Sequence, residues 1–240
     1  MLLQLFSGGD LRQALLSVLL VIPSIILALS FHEAAHGYAA YKLGDRTAFN
    51  LGRLTLNPIK HLDPIGSVCM LVFGFGWAKP VPVNPRNFRN PKNGMAITAL
   101  AGPATNLVLG AVSSILVVVT RVLIYRHYVS VSAVSSSLNL GDALSVLYLF
   151  FYYFGYVNIL SAVFNMLPIP PFDGSRIYSV FLPPKLYFKL MRYERQIMIG
   201  ILVALFFCSY VLNFSPISLA TSSIYNLLID GATALVNLIL

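Results

Sequence analysis

The chain has 240 residues, 58% of them hydrophobic and 10% charged, with a mean hydropathy of +0.79. A water-soluble domain carries about a quarter charged residues, so this composition excludes a soluble globular protein and defines an integral membrane one. The net charge of +8 is not a nucleic-acid footprint, because the bases form no single patch and fall in the gaps between apolar runs, as topology signals do.

The opening, MLLQLFSGGDLRQ, holds one acid and one base, so the apolar run behind it lacks the positive leader of a signal peptide. That run continues unbroken through FHEAAHGYAAYKLG. It predicts a retained first span from about Leu11 to Leu43, kinked at Pro23 and stopped by Gly44-Asp45. A polar, basic stretch, DRTAFNLGRLTLNPIKHLDP, follows. The apolar core of IGSVCMLVFGFGW is then too short for a span, which needs about 20 helical residues, and reads as re-entrant or interfacial. In AKPVPVNPRNFRNPKNG the prolines permit an extended or hairpin-like element but not a central strand.

The second span is expected over about Met95–Tyr125, interrupted at Gly102-Pro103, and the third over about Ala143–Met166. The proline-dense turn LPIPPFDGSR and a basic amphipathic stretch lead to a fourth span over about Gln196–Phe214. In the C-terminal stretch Ser222, Asn226, Asp230, Thr233 and Asn237 recur at helical spacing. Such a stripe suits either a helix lying in the interface or one packing its polar side on other helices. The fold expected is therefore an all-α polytopic membrane protein, one domain over 1–240. Its core of three spans, about 11–180, is joined by accessory helices over about 185–240. Thirteen of the sixteen Lys and Arg residues fall between spans one and two or between spans three and four. The positive-inside rule puts those segments in the cytoplasm.

Within the first span stands HEAAH, an H-E-x-x-H pattern of His32, Glu33 and His36. Positions i and i+4 share a helix face, so both imidazoles reach one ion, with the glutamate as general base. Ionisable groups at that depth are costly and point to function. Zinc needs at least a third protein ligand. His61 and His127 lie in polar segments expected to be exposed, Glu194 in a charged membrane-edge stretch, and Asp63 in a turn. Asp173 ends an apolar span, where Pro168, Pro170 and Pro171 force the chain out of helix and let it re-enter toward a buried site. On spacing alone it is either a ligand or an ordinary turn aspartate. Depth supports the former. His36 lies six residues, about 9 Å, inside the cytoplasmic end of span one; Gly102 and Asn106 lie about 10–17 Å inside span two. Asn165 and Asp173 sit near the same side.

These pieces together, FHEAAHGYAAYKLGD, LGRLTLNPIKHLDPIGS, GWAKPVPVNPRNFRNPKNG, ALAGPATN and FNMLPIPPFDGSRI, resemble the site-2 protease family of intramembrane zinc metalloproteases over roughly residues 25–180. The resemblance implies one zinc ion per chain held by His32, His36 and Asp173, with Glu33 as catalytic acid and base. It implies catalytic helpers at Asn106 and Asn165, each of which alternatively serves interhelical hydrogen bonding. No stretch reads as a PDZ or other soluble domain, so the chain is similar to the compact branch of the family.

The reaction expected is hydrolysis of peptide bonds within or near transmembrane segments, by metal-activated water. The substrate expected is a membrane protein or a signal-peptide remnant, in a bacterial cell membrane, with the site nearer the cytoplasmic leaflet. A helical substrate must unwind, and its freed backbone groups need partners. Trp77, Lys79, Pro80, Val81, Pro82 and Val83 form a candidate edge for strand addition, or else an interfacial loop anchored by Trp77. Four histidines are too few for a membrane di-iron oxidase. A metal transporter would need polar residues along the whole path, and a catalytically silent relative is disfavoured by the intact Glu33.

Overall fold

The computed structural model describes residues 11–64, 66, 78–131, 140–183, 185, 186, 189, 192–210 and 215–239. Helix α1 runs Leu11–Lys42 and passes through Pro23 without ending. Beside that proline, Ser24 turns its hydroxyl back to the Leu20 carbonyl at 2.8 Å, an internal satisfaction that lipid surroundings require. The stop is where the sequence put it. Gly44 has φ +106°, open mainly to glycine. The Asp45 N–H then reaches back to the Ala40 carbonyl and the Gly44 N–H to that of Tyr41, a Schellman termination.

A short turn, α2 (Thr47–Asn50), begins the inter-span segment. Among the described residues, the expected hairpin-like element reduces to one antiparallel bridge pairing Leu62 with Ala78; residue 65 and residues 67–77, Trp77 included, lie outside them. His61, expected in an exposed stretch, is buried. Its Nε2–H donates to the Thr55 carbonyl at 2.7 Å and its own carbonyl accepts from the Lys79 N–H at 2.8 Å, so it closes the loop on itself.

Helix α3 (Pro91–Val131) starts on a cap: the Asn93 N–H bonds to the Asn90 side chain, with Pro91 in the first-turn position where its missing N–H costs nothing. It is longer than the predicted span at both ends and stays helical through Gly102-Pro103. Helix α4 (Leu140–Asn165) is followed by the proline turn and α5 (Asp173–Tyr178), then α6 (Glu194–Tyr210) and α7 (Pro216–Ile239).

Among the described residues, four helices are long and apolar enough to cross a membrane: α1, α3, α4 and α7. The protein is an integral, multi-pass, all-α membrane protein. Helices α1, α3 and α4 pack against one another, α7 packs on α3 and α4, and α5 rests on α3. Close approach is allowed by small groups. The Ser113 hydroxyl of α3 donates to the Phe151 carbonyl of α4, and Gly110 leaves the room that Ile159 fills. The contact face of α7 lies beside its polar stripe, of which Thr233 accepts from Arg121 of α3. Thr221, Tyr225, Ala232 and Val236 are buried, whereas Asn226, Asp230 and Asn237 are exposed.

Candidate metal centre

His32 and His36 stand one turn apart on α1, their rings edge to face with centroids 4.6 Å apart. Each is steered from behind by α3. The His36 Nδ1 lies 2.7 Å from the Thr98 carbonyl, and the His32 Nδ1 lies 2.5 Å from Asn106 Oδ1. Both partners only accept, so both Nδ1 atoms donate, and the Nε2 atoms are left as bare lone pairs. The rings fit against α3 because residue 102 is glycine. A Cβ there would lie 2.5 Å from His36 Nε2 and 2.6 Å from His32 Nε2.

Asp173 arrives from the far side. The chain leaves α4 through Pro168–Pro171, and Phe172 adopts extended backbone with its ring 4.4 Å, centroid to centroid, from that of Phe164. Gly174 lets the turn fold tightly onto the end of α4, since a Cβ would meet the Met166 carbonyl at 2.5 Å. The result sets Asp173 Oδ2 3.1 Å from His32 Nε2 and 3.2 Å from His36 Nε2, with the two Nε2 atoms 3.0 Å apart.

Three donor atoms this close together could hold a metal ion between them. Ligands of a tetrahedral zinc ion, at bonds of about 2.0–2.1 Å, stand about 3.3 Å from one another, so a triangle of 3.0–3.2 Å edges fits it. It is the one His, Cys, Asp and Glu grouping of this kind among the described residues.

Glu33 leaves α1 between the two histidines, and its Oε2 accepts a hydrogen bond from the Val81 N–H at 2.8 Å. The segment bearing Val81 is laid along the last turns of α1. Val81 packs against the bare face of Gly37, 3.3 Å from where a Cβ would be. Lys79 and Pro80 are exposed, Pro82 and Val83 half-buried, and the Arg53 guanidinium covers the carbonyls of Lys79 and Pro80. Downstream, the buried Asp45 ties the segment down. Its carboxylate accepts from the Asn84 N–H, the Asn87 amide, and the N–H and hydroxyl of Thr47. Burial would raise this carboxyl, and those four bonds hold it below its ordinary value.

Asn106 is fully buried behind His32. Asn165 turns its amide back to the Ser161 carbonyl at 3.1 Å within α4. Sequence reasoning passed over Asn158, also fully buried, which accepts from the Asn106 amide at 2.8 Å. The signal was present: an asparagine two turns before Asn165, on the same face of an apolar span, is a polar group in lipid that needs a partner. Asp45 and Thr98 were also missed. Thr98 acts through its main chain, which a side-chain pattern cannot reveal.

A pair of histidines one helical turn apart, closed by a carboxylate among membrane-length helices, is a grouping that could hold a metal ion. The chain belongs to peptidase family M50, the site-2 protease family, whose model matches residues 20–209. It is 40% identical over 174 residues to YwhC of Bacillus subtilis (strain 168), covering 72% of this chain and 74% of that one. It is 31% identical over 166 residues to MJ0611 of Methanocaldococcus jannaschii, covering 67% and 71%. To Rip2 of Mycolicibacterium smegmatis it is 28% identical over 173 residues, covering 70% of this chain and 59% of that relative. All three carry the name "Putative zinc metalloprotease". No solved structure matches the chain. Zinc is the metal of this family, and the donor set above suits it.

Proposed function

We propose that the chain is an intramembrane metalloendopeptidase that cleaves membrane proteins within or near their transmembrane segments, including signal-peptide remnants. In this reading His32, His36 and Asp173 hold one zinc ion, and residues 11–180 are the catalytic core of a single membrane-embedded domain. The observation that carries it is the convergence of the three donor atoms within 3.2 Å, on helices of membrane length, with Glu33 projecting from the same turn. When bound, zinc supplies Lewis acidity toward water and the scissile carbonyl.

Glu33 takes the proton of the attacking water and delivers it to the leaving amine. Asn106 acts through His32, whose Nδ1–H it accepts, and not on the reacting carbonyl. Asn165 stands eight residues before Asp173, at the end of α4 from which the proline turn departs, and helps set that turn. Lys79–Val83 receives the unwound substrate as an added strand, which must displace Arg53 from the carbonyls of Lys79 and Pro80. The basic inter-span segments face the cytoplasm of a bacterial cell, and the site opens toward that leaflet.

The test is cleavage of a single-pass substrate by the reconstituted chain. Glu33→Gln should keep one zinc per chain and lose turnover; turnover at the original rate would overturn the assignment.

A further inference from the structure

A chain of two carboxamides runs through the protein interior behind the metal centre, and its direction is set at its far end. Asn158 donates its Nδ2 to the Phe154 carbonyl at 2.8 Å. A carbonyl only accepts, so the Asn158 amide can face only one way, with Oδ1 turned toward α3. That oxygen accepts Asn106 Nδ2 at 2.8 Å, and the same nitrogen faces the Ala28 carbonyl at 3.4 Å. With two acceptors on its nitrogen side, Asn106 in turn must offer Oδ1 to His32 Nδ1. Neither asparagine has any solvent exposure, so no water competes for these groups.

We infer that Asn158 is a positioning residue for the metal centre: by fixing the orientation of the Asn106 amide, it fixes His32 as the tautomer whose Nε2 lone pair faces Asp173. Were Asn106 free to flip, its NH2 group would meet the His32 Nδ1–H. The imidazole could then recover a hydrogen bond only by moving its proton to Nε2, where a metal must bind. Partners of a ligating histidine's second nitrogen typically influence metal affinity by about 10–100-fold. Asn158 passes that influence one residue further, from α4 through α3 to α1.

The test is zinc affinity, read by chelator competition on the purified full-length chain, with melting curves to follow folding. Asn158→Leu should weaken zinc binding by about tenfold or more, while Asn158→Asp, which keeps an oxygen facing Asn106, should largely retain it. Asn106→Asp presents the histidine with a carboxylate that has no wrong orientation, so in that background Asn158→Leu should bring little further loss. If Asn158→Leu does not fold, Asn158→Ala removes the amide without adding bulk and takes its place. Wild-type zinc affinity in the variant lacking the amide, or an equal loss in both backgrounds, would overturn the inference. It rests on His32 being a ligand; failure of that premise shows separately, as His32→Ala retaining wild-type affinity.

Discussion

The carboxylate of Glu33 is held by the main-chain N–H of Val81, 2.8 Å away and 48 positions along the chain. The group proposed to move the proton is thus tied to the segment proposed to receive substrate, through a backbone atom that no side-chain substitution removes. Only proline does. Val81→Pro should leave zinc stoichiometry unchanged and lower kcat by about 100-fold, the size expected when a reacting group loses its orientation. Val81→Ala keeps the N–H and costs about 2 kcal/mol of buried side chain, so its kcat should stay near wild type. Equal activity of the two variants would show that the hydrogen bond does not matter.

Gly102 makes a second, steric prediction. A methyl group there would lie 2.5–2.6 Å from the Nε2 atoms of both histidines, closer than packed atoms tolerate, and the helix backbone gives little relief. Gly102→Ala should push the rings out of the triangle they form with Asp173. Overpacking of this kind typically costs about 1–3 kcal/mol. The loss should appear mainly as zinc content after dialysis against a mild chelator, with helical content by circular dichroism unchanged.

Tyr225 seats α7 on the core. It is 1% exposed, its hydroxyl donates to the Tyr152 carbonyl, and its ring fills the space that Gly155 leaves. Tyr225→Phe should cost about 0.5–1.5 kcal/mol, the net worth of one hydrogen bond. Gly155→Ala should cost more, because its Cβ would lie 2.6 Å from the Tyr225 oxygen and cannot be accommodated without undocking the helix. Thermal unfolding in detergent ranks the two.

Much of the architecture could be read from apolar runs and their punctuation, because a bilayer forces backbone groups to satisfy themselves locally. The His32–His36 spacing and the Gly44 stop are local, and so were visible. Asp173 was a candidate because three prolines announce a chain that must leave the helix, but spacing left an ordinary turn aspartate open, and it was the resemblance that singled it out. What escaped reading depends on partners distant in sequence. His61 looked exposed in a polar stretch, yet it is buried because the loop closes around it. The polar stripe of α7 left open whether the helix packs by that side, and it is Tyr225, filling the space that Gly155 leaves, that seats the helix by a neighbouring face. Asn158 acquires its meaning only when α3 brings Asn106 beside it.

Acid should release the segment that Asp45 holds. Its carboxyl is more acidic in the folded protein than in the unfolded chain, so the ionised group contributes stability at pH values above the unfolded pKa, near about 3.9. That contribution falls away as pH drops through the lower, folded value. At neutral pH, Asp45→Asn replaces one of two accepting oxygens with a donor, although Asn84, Asn87 and Thr47 all donate to this site. The unmatched buried donors should cost about 1–3 kcal/mol. Because Asp45 pins residues 84–87, the first consequence should be local, namely faster protease cutting between Lys79 and Lys92 while α1 and α3 stay helical. Below pH 4 the wild type should approach the Asn variant in cutting rate. A wild type that keeps its full advantage at pH 2 would show that the ionised carboxylate is not what holds the segment.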